Sequence, residues 1–129
     1  MTRHRIGGVL ALCAVAAFAE VAAQQLEGDV ARGETLFEEC ATCHTVKRGG
    51  ENGVGPNLFG VFDRKAGEVA DFRYSPALRR SGIAWNATTL DEFLADPQKA
   101  VPANRMPYAG MTDPQARADV IAYLLTVTK

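Results

Sequence analysis

The residues best suited to chemistry stand together in "EECATCHTVKRGG", residues 38 to 50. Cys40 and Cys43 are separated by two residues, and His44 follows at once. A Cys-x-x-Cys pair serves zinc binding, thiol–disulfide exchange or haem attachment. Structural zinc needs four ligands, and joint tetrahedral ligation by the adjacent Cys43 and His44 would be strained. Redox exchange of the thioredoxin kind wants a βαβ setting, and the sequence offers no convincing strand. Haem attachment uses all three residues. Two thiols at this spacing, as a helix ends, reach the two vinyl groups along one porphyrin edge, and the adjacent imidazole turns under the ring to bind iron.

The other candidate ligands are few. The first 23 residues read as an export leader: the basic "MTRHR", the apolar "IGGVLALCAVAAFA", then small-residue cleavage patterns ending at Ala19 and Ala23. Cleavage after Ala23 is favoured, because Gln24 onward is polar. The apolar run is shorter than the roughly 20 residues needed to span a bilayer, so no permanent membrane anchor is expected. Nor is Cys13 a lipidation site, since Leu12 is too large for the preceding position. Removing the leader takes His4 and Cys13 with it and leaves His44 as the remaining histidine. The sixth iron position then falls to a methionine, Met106 or Met111, both within "VPANRMPYAGMTDP". A thioether suits ferrous iron, and His/Met ligation raises the reduction potential. Pro102 and Pro107 keep Met106 out of a helix interior, whereas Met111 could pack beneath the start of the last helix. The residue chemistry leans to Met106 without deciding between them.

These residues must be held by a small scaffold. The 129 residues carry a net charge of −1, and residues 24 to 129 hold 12 Lys or Arg against 14 Asp or Glu. One domain is expected over 24 to 129. A mildly acidic chain without a basic run lacks the phosphate-neutralising charge that nucleic-acid binding needs. "GDVARGETLFEECA" predicts a helix capped by Asp29, with Val30, Gly33, Phe37 and Cys40 on one stripe. "YSPALRRSG" predicts a short helix with Ser75 as cap and Gly82 closing it. "NATTLDEFLADP" predicts a third, with Thr88 as cap and Pro97 as stop. "MTDPQARADVIAYLLTVTK" predicts a last helix capped by Asp113 or Thr112, with Pro114 in its first turn. Residues 45 to 74 show no period and are broken by glycine and proline. A loop that long needs something else to fill the middle, and a flat apolar cofactor supplies the missing buried area.

"CATCH", "GVGPNLFGVFDRKAG", "GIAW" and "RMPYAGM…ADVIAYL" closely resemble the class I cytochromes c, the short bacterial kind built like mitochondrial cytochrome c. The likeness runs in order from "GDVARGETLF" to "DVIAYL". It implies an all-α cytochrome c fold, with three main helices, one or two short ones and long loops around one covalently bound haem c. It implies thioethers at Cys40 and Cys43, with His44 as proximal and Met106 as distal ligand. Pro56 would orient the free nitrogen of His44, and Arg64, Tyr74 and Trp85 would surround a buried haem propionate. Tyr108 would lie beside the exposed haem edge, and Gly33 and Phe37 would meet Val120 and Tyr123.

The family's function would make the chain a soluble periplasmic one-electron carrier, likened to no enzyme and expected to be monomeric. Its donor would be a quinol-oxidising complex or a dehydrogenase, and its acceptor a terminal oxidase or photosynthetic reaction centre. Other readings are a haem subunit held within a dehydrogenase complex, a small peroxidase or a gas-binding module. The last two need an open iron position. Some positions depart from the family pattern. Phe93 stands where a tyrosine often occurs, Leu78 replaces a frequent asparagine and Asn104 a frequent threonine. Glu38 and Glu39 lie where mitochondrial relatives favour lysines near the haem edge, and Gln98 replaces another lysine.

Overall fold

A computed structural model describes residues 26–129, so the expected leader and its cleavage sites lie outside the described residues. The chain runs α1 (Val30–Ala41), a 3-10 turn (Val61–Asp63), α2 (Pro76–Arg80), α3 (Ala87–Ala95), α4 (Pro97–Ala100) and α5 (Pro114–Val127). Among the described residues there is no strand, only an isolated antiparallel bridge between Lys65 and Ala84. The expected all-α fold is what forms. None of these helices is long and apolar enough to cross a membrane.

Each helix starts where a side chain can take over an orphaned backbone donor. The Asp29 carboxylate accepts from the Arg32 N–H, Ser75 from Leu78, and Asp113 from Gln115. For α3 the expected cap, Thr88, is displaced. Asn86 sits in extended conformation and accepts from the Thr89 N–H, while the Thr89 hydroxyl accepts from the Asn86 N–H. That reciprocal pair starts the helix two residues earlier than Thr88 could. Pro97 ends α3 as expected, and it also opens the one-turn α4, which Asp96 caps through the Lys99 N–H.

The first and last helices cross in contact. A Cβ at Gly33 would overlap the Asp119 carbonyl oxygen, and one at Gly28 would overlap that of Ala118. Glycine is therefore what lets the two backbones touch. Around the crossing, Phe37, Leu90, Leu94, Val120, Ile121 and Leu124 form the buried cluster, and the Phe37 and Tyr123 rings lie 5.3 Å apart. Val30 does not join this face. It is 43% exposed, because before Gly33 it is backbone, at Gly28 and Asp29, that meets α5.

A charge is buried at the same crossing. Asp119 has a side chain only 3% exposed, and it receives the Asp29 N–H at 2.7 Å, the Arg32 Nε–H at 2.8 Å and the Gln115 amide at 3.0 Å. Sequence patterning missed it, since an aspartate between Ala118 and Val120 reads as a solvent-facing residue. Arg32 is well exposed and water screens its share of the pair, so the carboxylate's burial and its several donors carry the interaction. The hydrogen bond from Arg32 holds the Asp119 carboxyl well below the usual carboxylate range, against the opposing effect of burial. A depressed folded-state pKa adds stability above the unfolded value, and that stability is lost as pH falls towards the folded one. Asp119→Asn is therefore expected to cost about 1–3 kcal/mol at pH 7. The cost should shrink below about pH 4, as checked by urea unfolding at a series of pH values.

Candidate cofactor site

The α1–α5 crossing places the end of α1 against the centre of the molecule. Cys40 occupies the last turn of α1, and its carbonyl accepts from the N–H groups of both Cys43 and His44, at 3.0 and 2.9 Å. The backbone thus curls tightly past the helix end, carrying the second cysteine and the histidine back towards the core. Both cysteines are free, half-buried thiols. Burial, then the neighbouring Glu39 carboxylate, pushes the Cys40 thiol above its ordinary value.

The His44 ring is fixed on two sides. Its Nδ1 lies 2.7 Å from the Pro56 carbonyl oxygen, which can only accept, so Nδ1 carries the proton and Nε2 keeps its lone pair. Gly55 lies flat against the imidazole. A Cβ there would overlap Cε1 and come within 2.7 Å of both ring nitrogens. Burial lowers the affinity of the imidazole for a second proton, with the Pro56 carbonyl opposing it. The result is a neutral, oriented nitrogen donor.

The long segment after His44 is held by hydrogen bonds rather than by regular structure. Asn57 is its main staple. Its amide donates to the Thr45 hydroxyl at 2.6 Å and the Lys47 carbonyl at 2.9 Å, and its carbonyl accepts from the Phe59 N–H. Backbone bonds join Leu58 to Thr45 and Gly60 to Thr128, closing the segment onto both α1's exit and the C-terminus. Sequence reading passed over Asn57 and Gly55. A signal for both was present in "GVGPNL", where a small residue and a short amide flank the one turn residue singled out, Pro56.

All these elements face one cavity of about 380 Å³. Cys40, Cys43, His44, Pro56, Arg64, Tyr74, Trp85, Met106 and Tyr108 all line it. Its remaining wall is mostly apolar, with Phe37, Leu58, Val61, Leu78, Leu90, Phe93, Leu94, Val120 and Leu124. Met111 is not part of the lining. It packs against the buried cluster, and its N–H donates to the Leu94 carbonyl. Arg64 spends two donors on the chain itself, Nη1 to Phe59 O at 2.7 Å and Nη2 to Asn57 O at 2.6 Å. Trp85 packs edge-to-face on Phe93, and Tyr74 on Phe72. Burial shifts Arg64 down and Tyr74 up from their ordinary values. Burial, then Glu39, also raises the Tyr108 phenol.

The residues present fit a planar, largely apolar group with an iron at its centre. The cavity is lined by rings and aliphatic side chains, a neutral imidazole is braced on its wall, and two thiols line it as well. Among the described residues no group of three or more His, Cys, Asp or Glu converges as a metal site of protein ligands alone. The four ligands of a structural zinc site are therefore not assembled.

A helical chain folded around such a cavity, with these donors on its wall, defines a haem-carrying electron-transfer protein of the c type. The chain belongs to the cytochrome c family, whose model, "Cytochrome c", matches residues 30–128. It is 46% identical to the cytochrome c of Chlamydomonas reinhardtii over 102 residues, which cover 78% of this chain and 91% of that one. It is 41% identical to the cytochrome c2 of Agrobacterium tumefaciens (strain II Chrys), over 77% of this chain and 92% of the other. A third relative, the cytochrome c2 of Rhodomicrobium vannielii, is 43% identical over 77% of this chain and 79% of its own. The cofactor is one covalently attached haem c.

Because Gly55 packs against the ring of His44, a methyl group there must displace one of them. Gly55→Ala is expected to lower the yield of haem-loaded protein and cost about 1–3 kcal/mol of stability. Pyridine haemochrome quantitation and thermal unfolding check both.

Proposed function

We propose that this protein is a soluble periplasmic one-electron carrier in which Cys40 and Cys43 tether the haem by thioethers and His44 and Met106 are its axial ligands. The observation that carries this reading is the convergence of those four side chains on one cavity. When bound, the haem supplies a one-electron couple. The chain's own contribution is position and environment. The Pro56 carbonyl and Gly55 keep the His44 imidazole in one tautomer and one orientation. The Met106 loop is anchored at the Asn104 amide and at Met111, so little of the chain needs to move between oxidation states. Arg64, Tyr74 and Trp85 stand on one stretch of the wall, where they would surround a haem propionate. Tyr108, which lines the cavity next to the exposed Pro107, would border the exposed edge through which the electron passes. The leader pattern of residues 1–23 supports export to the periplasm, with the protein released after Ala19 or Ala23.

Donor and acceptor are redox complexes, a quinol-oxidising complex or dehydrogenase on one side and a terminal oxidase or reaction centre on the other. The charges at the cavity mouth are mixed. Glu39 lines it together with Arg73 and Arg105, and the lining also includes Val54, 72% exposed. Such a face gains less from long-range steering than a ring of one sign.

Two measurements test the reading. Mass spectrometry should show one haem added to the mature chain. The ferric protein should show the weak long-wavelength sulfur-to-iron band, lost in Met106→Ala and kept in Met111→Ala; a band that survives Met106→Ala overturns the assignment. For the partner face, the rate of electron transfer to a strongly acidic acceptor should fall by less than about tenfold between low and physiological ionic strength. Stopped-flow kinetics across a salt series reads it, and a steeper loss would place a concentrated positive field at the edge.

A further inference from the structure

Among the described residues, two non-glycine residues hold a positive φ, Asp71 at 61° and Ala103 at 65°. An aspartate tolerates this region because its side chain can bond locally; an alanine has no such compensation. Ala103 is exposed, so packing around its methyl group does not hold it there. The residue after it does. Asn104 is 7% exposed, and its Nδ2 donates to the carbonyls of Pro97 at 2.7 Å and Val101 at 2.9 Å. Its Oδ1 accepts the Met106 N–H at 2.8 Å. Further bonds run from the Asn104 N–H to Val101 O and from the Gln98 amide to Asn104 O. One carboxamide thus joins the one-turn α4 to the backbone of Met106, and left-handed Ala103 is the turn that lets it reach.

We propose that Asn104 and Ala103 form a strained latch on the Met106 loop, in which the Asn104 carboxamide positions Met106 and the backbone strain at Ala103 favours its release. The inference rests on the reading of Met106 as the distal ligand. A latch held closed against strain has a more populated open state than an unstrained one, and a small ligand that binds only the open state reports that population directly. Three residues downstream of Tyr108, the Met111 N–H on Leu94 O fixes the other end of the loop. Opening is thereby confined to residues 102 to 110.

The test is titration of the ferric holoprotein with imidazole, following loss of the sulfur-to-iron band. Glycine takes the left-handed region freely, so Ala103→Gly should weaken apparent imidazole affinity by about threefold, after allowing for glycine's extra freedom in the open loop. A β-branched residue fits that region worst, so Ala103→Val should tighten it by about threefold or more. Asn104→Ala should tighten it by at least about tenfold, and Ala103→Gly added to that variant should return part of the change. Should Asn104→Ala fail to load haem, the two exposed Ala103 variants decide alone. Equal imidazole affinity in parent, Ala103→Gly and Ala103→Val, with the band present in all three, overturns the latch while leaving Met106 as ligand. A parent protein without the band overturns both.

Discussion

The contact between α1 and α5 at Gly33 is the constraint on which the rest of the molecule depends. With no side chain between them, the Asp119 carbonyl meets the glycine backbone directly, and the aromatic and aliphatic residues on either side close around that point. The crossing fixes where α1 ends, and its end carries Cys40, Cys43 and His44. It also turns Val120 and Leu124 of α5 towards the cavity, so the same contact builds one wall of the site and aims the residues of the opposite edge. Asp119 adds a buried charge, locked by donors from the start of α1 and from its own helix. Such a charge is costly when any of its partners is removed, and the register of the two helices is correspondingly specific.

The remainder of the site is made of segments that have no regular structure and still leave no buried side-chain polar atom without a partner among the described residues. Three short side chains make this possible. Asn57 fastens the segment after His44, Asn104 fastens the segment before Met106, and the Thr128 hydroxyl closes the end of α5 on the Leu124 carbonyl. Asparagine suits the first two places because it offers two donors and an acceptor on a short stem, enough to satisfy several backbone groups at once. Loops held in this way can line an apolar cavity, where unpaired backbone groups would otherwise be prohibitive. The fold therefore spends its regular helices on the α1–α5 frame and its amides on the cavity rim.

Much of this was legible in the chain. The helix starts at Asp29, Ser75 and Asp113 follow from short acceptors ahead of helical patterns, and Pro76 and Pro114 mark first turns. The Cys40, Cys43 and His44 cluster identified its own chemistry, because few chemistries use all three residue types at that spacing. The misreadings have a common cause. Thr88 looks as good a cap as Asn86 until the reciprocal bonds with Thr89 are seen, and Val30 shares a stripe with Phe37 although backbone meets α5 at that level. Local pattern says which face a residue is on and not how far along the helix the partner extends.

The sequence by itself determined the cofactor chemistry, the helical class and the choice of candidate ligands, because these depend on residue type and near-neighbour spacing. Residue type left Met106 and Met111 both open and the family resemblance favoured Met106; only the tertiary structure decided that Asp119 is buried and that Gly55, Asn57 and Asn104 hold the loops around the cavity. Those outcomes depend on groups up to 90 positions apart, as Asp29 and Asp119 are. They arise when buried polar atoms must each find a partner in three dimensions, a requirement that no local period records.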